Sequence, residues 1–133
     1  MDYTVFDFSR FHLLQELVIG NDCFSAVDRF VLDKMYYLKV LRVGNNSFTK
    51  AKSDYYGYDF KRSFHILNCL ELESIDIGTW SFSDYAGGFE LRNLPKLCSI
   101  KIGEVDIQSY NFCFSPFVVK GILPCCIVMS RSS

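Results

Sequence analysis

Leu38-Lys39-Val40-Leu41-Arg42-Val43-Gly44 sets apolar residues at its first, fourth and sixth places and a glycine at its seventh. The same L-x-x-[LI]-x-[IV]-G string recurs as Leu14-Gln15-Glu16-Leu17-Val18-Ile19-Gly20, as Leu72-Glu73-Ser74-Ile75-Asp76-Ile77-Gly78 and as Leu97-Cys98-Ser99-Ile100-Lys101-Ile102-Gly103. A chain that repeats itself at this interval stacks similar units, each burying its apolar faces against its neighbours.

The match extends in both directions. Eight residues before each leading Leu stands a Phe, at 6, 30, 64 and 89, which opens an F-x-apolar triplet. Three residues before each Leu comes Phe11, Met35, Cys69 or Leu94, and four residues beyond each glycine comes Phe24, Phe48, Phe82 or Ile107. The repeats therefore span about 6–24, 30–48, 64–82 and 89–107. A partial unit at 117–130 starts with Phe117-Val118-Val119 and lacks the glycine. The glycines at 44 and 78 are farther apart than the other neighbours, which places an inserted loop at 49–63. One domain, residues 1–133, accommodates all of this.

In L-x-x-L-x-I the last apolar residues alternate with polar ones, the period of a half-buried strand. One strand per unit follows, and stacking makes a parallel sheet with Leu17/Ile19, Leu41/Val43, Ile75/Ile77 and Ile100/Ile102 as buried ladders. Phe24, Phe48, Phe82 and Ile107 are expected to fill the interior, and the F-x-apolar triplets to form short strands on the back. The repeated glycine is expected to allow a positive φ where the chain leaves the sheet.

With these residues in view, the chain resembles the leucine-rich repeat family, whose signature is L-x-x-L-x-L-x-x-[NC]-x-L. Leu38 to Phe48 fits it throughout, with Asn46 at the asparagine position, whereas the other copies carry Asp22, Trp80 and Val105 there. Ser47-Phe48 and Ser81-Phe82 after the strand, with Asn68-Cys69 before the next, are similar to the irregular surface-antigen type. The resemblance implies a mostly β leucine-rich-repeat solenoid with a parallel concave sheet, short back-face strands and little helix. It also implies a non-catalytic module that binds a protein partner through that concave sheet.

Residues between the buried positions point outward. One column reads Glu16, Val40, Ser74, Ser99, and the next reads Val18, Arg42, Asp76, Lys101. These are the first candidates for partner contact; alternatively, the charges of the second column neutralise one another across strands, at about 0.2–1 kcal/mol per pair. The inserted loop supplies Tyr55, Tyr56 and Tyr58 among Lys and Arg residues, a composition common at interfaces. The alternative there is a solvated loop whose aromatics fold back onto the units.

Fourteen basic and fifteen acidic residues leave a net charge of -1, so no global field draws the chain to nucleic acid. The start, Met1-Asp2-Tyr3-Thr4, is acidic where a signal peptide is basic, and no apolar run reaches the ~18 residues of a membrane span. The expectation is a cytoplasmic protein, or a cell-surface or secreted one if the chain belongs to a longer array, where Asn45-Asn46-Ser47 would be a glycosylation site. Six cysteines form no C-x-x-C pair and are read as reduced structural thiols. His12 and His65 are the only histidines, and the chain has no G-x-S-x-G, H-E-x-x-H or phosphate-binding glycine loop. No catalytic, cofactor or metal site is expected, and Gly87-Gly88 reads as a turn. Neither end of the array carries a clear polar cap, so the competing expectation is a structural or surface-coat segment that self-associates end to end.

Overall fold

A computed structural model describes residues 5–7, 11–50, 59–103, 111–112 and 117–120. It is built of β-strands in two parallel sheets, with essentially no helix among the described residues. The strands are β1 (Val5–Asp7), β2 (Glu16–Ile19), β3 (Arg29–Asp33), β4 (Val40–Val43), β5 (Ser63–Leu67), β6 (Ser74–Ile77), β7 (Phe89–Arg92), β8 (Ser99–Ile102) and β9 (Phe117–Lys120). Odd strands form a five-stranded sheet in the order β1-β3-β5-β7-β9, and even strands a four-stranded sheet in the order β2-β4-β6-β8. Each L-x-x-[LI]-x-[IV] string thus gives one even strand, and each F-x-apolar triplet gives one odd strand.

The period of two in the sequence sets which residues are buried. In β2 and β4, Leu17, Ile19, Leu41 and Val43 are buried between outward-facing neighbours, and β6 and β8 repeat the pattern. Register follows: Leu41 pairs with Leu17 and Ile75, and Ile75 with Ile100. A slip of one residue would bring Arg42, Asp76 and Lys101 into the core, so the pattern fixes the pairing.

Between the sheets lie two interlocking columns of phenylalanine. Phe6, Phe30, Phe64 and Phe89 stack in sequence at 4.9, 4.8 and 5.0 Å between ring centroids. Phe24, Phe48, Phe82 and Phe112 stack at 5.2, 4.7 and 5.0 Å. Rings of one column meet those of the other edge to face, as in Phe30 with Phe48 at 5.2 Å and Phe64 with Phe82 at 4.9 Å. Offset and T-shaped pairs of this kind contribute about 0.5–1.5 kcal/mol each beyond their burial. Phe112 takes the fourth place in the second column; Ile107, expected there, lies outside the described residues. Phe24 departs from the expected interior position, being 47% exposed, with one face on Phe48 and its edge on Phe6. Phe11 is likewise exposed where its column mates Met35, Cys69 and Leu94 are buried.

The glycines act differently from the expectation. Gly20, Gly44 and Gly78 do not have positive φ; Asp22, Phe24, Asn46, Phe48, Trp80 and Phe82 do, and only Gly103 of the repeated glycines, at 78°, fits the expected role. Crowding is what requires glycine at 44 and 78. A Cβ on Gly44 would lie 2.3 Å from Asn21 Oδ1 and 2.8 Å from the Gly20 carbonyl carbon, and one on Gly78 would lie 2.3 Å from Asn45 Oδ1. Those side-chain oxygens are fixed by their own bonds: Asn21 Oδ1 accepts from the Asn45 N–H at 2.8 Å, and Asn45 Oδ1 from the Thr79 N–H at 2.9 Å. Beside them, Ser47 Oγ donates to the Gly20 carbonyl at 2.7 Å and Ser81 Oγ to that of Gly44 at 2.5 Å. The side-chain ladder therefore uses the residues one and three places after the glycine, where the family signature placed its asparagine two places after.

Candidate functional site

The four-stranded sheet carries the sequence candidates on one face. Register pairs Glu16 with Val40 and Val40 with Ser74, then Ser74 with Ser99. In the adjacent column Val18 pairs with Arg42, Arg42 with Asp76 and Asp76 with Lys101. All eight are exposed or half-exposed, because their neighbours along each strand are the buried ladder. Arg42, exposed, and Asp76, half-exposed, face each other across adjacent strands. Tyr55, Tyr56 and Tyr58 lie outside the described residues.

A second feature borders this face and was not anticipated. Before each even strand the chain makes a tight turn closed by a backbone bond, from Leu14 to Phe11, Leu38 to Met35, Leu72 to Cys69 and Leu97 to Leu94. The two middle residues of each turn project outward: His12-Leu13, Tyr36-Tyr37, Leu70-Glu71 and Pro95-Lys96. Because the strands that follow are in register, these pairs form a ridge along the sheet. Its first half is largely apolar, with Leu13 69%, Tyr36 47% and Tyr37 53% exposed, and the apolar surface continues onto Leu70, 39% exposed, in the third turn. Its second half is charged, with Lys96 Nζ 2.6 Å from Glu71 Oε2. The signal was legible as the pair of residues before each leading Leu, which the repeat pattern leaves unconstrained.

The inserted loop proves to be anchored at both ends. Thr49 is buried and shares a 2.7 Å hydrogen bond with Ser83 Oγ, and Arg62 is buried completely. Arg62 Nε lies 2.9 Å from Asp28 Oδ1, its Nη1 reaches both oxygens of Asp84, and its guanidinium sits 5.2 Å from the centre of the Tyr85 ring. Burial works to lower the Arg62 pKa, but the Asp28 hydrogen bond and the charge and hydrogen bond of Asp84 outweigh it and raise the pKa above the ordinary value. Burial pushes the Tyr85 phenol far up, against the pull of Arg62. Gly87 belongs to the same corner: a Cβ there would lie 2.6 Å from the Phe60 carbonyl oxygen, and its N–H donates to the Arg62 carbonyl at 2.7 Å. Of Gly87 and Gly88, the second has the positive φ expected of a turn glycine.

On the outer face of the five-stranded sheet, His65 stands next to Glu90 in register. His65 Nδ1 is 3.0 Å from Glu90 Oε1, its Nε2 is 3.0 Å from Ser63 Oγ, and Arg92 Nη2 is 2.8 Å from Glu90 Oε2. Ser63 stands two residues before His65 on the same strand face. Aligning the middle residues of the F-x-apolar triplets, Val31, His65, Glu90 and Val118, shows the His–Glu contact from sequence.

Burial also raises the Cys69 thiol pKa to about 11. Cys23, Cys69 and Cys98 are free thiols. Among the described residues, no group of three or more His, Cys, Asp or Glu side chains is placed to hold a metal ion, and no helix is long and apolar enough to cross a membrane. Comparisons with protein-family models, with curated proteins and with solved structures find no match to this chain.

Proposed function

We propose that the chain is a leucine-rich-repeat-type solenoid that binds a protein partner through the outer face of its four-stranded sheet, assisted by the apolar half of the neighbouring ridge. The observation that carries this reading is the juxtaposition on one side of the molecule of Tyr36, Tyr37 and Leu70 with the register-paired charges Arg42 and Asp76. Exposed aromatics desolvate well at the centre of an interface, while charges at its edge set register and partner choice. The repeat of one strand per sheet per unit, all parallel, supports the family reading.

The contacts of this face recognise and do not react. Its test compares proteins co-purifying from native lysate with wild type and with an Arg42→Glu/Lys101→Glu variant whose circular dichroism matches wild type. A partner held by wild type and lost by the variant supports the proposal. Retention of only the chain itself, equally by both, overturns it in favour of end-to-end self-association.

A further inference from the structure

The Ser63, His65 and Glu90 side chains have an order that matters chemically. Strand β5 alternates buried Phe64 and Ile66 with Ser63 and His65, so the latter two share the outer face. Glu90, from β7, meets the imidazole at Nδ1, and its second oxygen is held by Arg92. The His65 hydrogen bond, opposed by burial and assisted by Arg92, holds the Glu90 carboxyl below its ordinary pKa. An ionised carboxylate only accepts, so Nδ1 must carry the proton. In neutral His65 the lone pair is then on Nε2, and the Ser63 hydroxyl donates to it across 3.0 Å. A hydroxyl on the basic nitrogen of an imidazole whose other nitrogen is fixed by a carboxylate is an activated nucleophile.

Substrate access is shaped by Gly88, which adjoins Ser63 because Phe64 pairs with Phe89. A Cβ at Gly88 would meet nothing within 4 Å, and Ser63 is itself half-exposed, so the sheet face at this register position is uncrowded. The Ser63 N–H donates to the Asp28 carbonyl and the Phe64 N–H to that of Gly88, so neither is available to a developing oxyanion. Arg29, exposed and in register with Ser63 on β3, is the cation beside the site. An open site with limited oxyanion support suits small esters whose leaving groups depart easily.

We propose that the outer face of the five-stranded sheet carries an acyl-transfer site, with Ser63 as nucleophile, His65 as general base and Glu90 as the positioning residue, acting on small, unhindered, activated esters. Ser63 Oγ bonds to the ester carbonyl carbon as its proton passes to His65 Nε2. The carbon–oxygen bond to the alcohol breaks, and the departing oxygen takes that proton. Water then gives a proton to Nε2 and bonds to the acyl carbon, and Ser63 leaves with the proton restored. The sum is ester plus water to acid plus alcohol. This site is on the opposite sheet from the recognition face and stands independently of it.

The test treats the folded chain with diisopropyl fluorophosphate, in which the Ser63 oxygen would displace fluoride, and follows intact mass and peptide mapping. Release of p-nitrophenol from p-nitrophenyl acetate is followed in parallel. The expected result is one adduct, on Ser63, absent from Ser63→Ala and formed at least about 100-fold more slowly by His65→Gln, the usual scale of general-base catalysis. Glu90→Gln should slow labelling about 10-fold or more, with partial recovery in Glu90→Asp, a pattern that a merely structural carboxylate would not give. Folded wild type without a Ser63 adduct, or labelling unchanged in His65→Gln, overturns the proposal.

Discussion

Arg62 Nη1 donates to both carboxylate oxygens of Asp84, at 2.9 and 2.8 Å, in a site from which the arginine is wholly withdrawn from water. The same guanidinium bonds Asp28 from the preceding repeat and the Ser25 carbonyl, so it ties three segments that are distant in sequence. Arg62→Met keeps much of the side-chain volume but leaves buried Asp84 without its counter-charge. Breaking one partner of a buried pair costs about 3–5 kcal/mol. The expected outcome is a urea midpoint lowered accordingly, against less than about 0.5 kcal/mol for Lys61→Met at the exposed neighbouring position. Equal midpoints for the two variants would mean that the cluster does not hold the corner.

The glycine positions give a graded test of the crowding argument. Gly44→Ala and Gly78→Ala each place a methyl 2.3 Å from an asparagine oxygen and within 2.8 Å of backbone, whereas Gly20→Ala meets nothing within 4 Å. Overpacking of this kind costs about 1–3 kcal/mol. Thermal unfolding should therefore show a clear loss for the variants at 44 and 78 and almost none for that at 20. If flexibility were the reason for glycine, all three would behave alike.

Much of the strand framework was legible because apolar spacing speaks directly about burial. Leu41, Ile75 and Ile100 had to share a face, and with them Arg42, Asp76 and Lys101 had to share the opposite one. What the spacing could not show was which atoms approach one another between units. Gly44 looked like a conformational glycine, but the Asn21 carboxamide occupies the space its Cβ would need. Arg62 looked like a solvated loop residue, since a charge in an insertion carries no periodic signal; only its alignment with Asp28, each two residues before a triplet Phe, hinted at a partner. Phe112 carries no offset signal, yet its ring stacks on Phe82 and extends the phenylalanine column. The turn pair Tyr36-Tyr37 escaped notice for a simpler reason: the repeat pattern scores buried positions and is blind to exposed ones.

Cysteine chemistry separates core from surface. Burial raises the Cys69 pKa to about 11, the Met35 backbone N–H opposes this in part, and the nearby Asp33 charge adds to the rise. Cys69 is also sealed within the core, whereas Cys98 is exposed. With iodoacetamide at pH 8, peptide mapping should find Cys98 alkylated in the native protein and Cys69 only after denaturant is added. Native labelling of Cys69 at a rate near that of Cys98 would show that the core around Leu32 and Met35 opens readily.

Glu90 gives a prediction in pH. Its carboxyl lies below the ordinary 4.5 chiefly through the His65 hydrogen bond, against the cost of burial and with help from Arg92. A carboxyl whose folded pKa is depressed stabilises the fold fully above the unfolded value and loses that contribution as pH falls through the folded value. The window is therefore acidic, from about the ordinary carboxyl range downward. Carbon-detected NMR titration should find Glu90 titrating below 4.5, with His65→Gln and Arg92→Ala each moving it upward. The same His65→Gln chain should lose less stability than wild type on acidification through this window, since it has less of the pair to lose. A Glu90 that titrates at the ordinary value in wild type would mean that the imidazole and carboxylate are not joined in solution. The tautomer argument that places a hydrogen-bond acceptor against Ser63 would then fail with it.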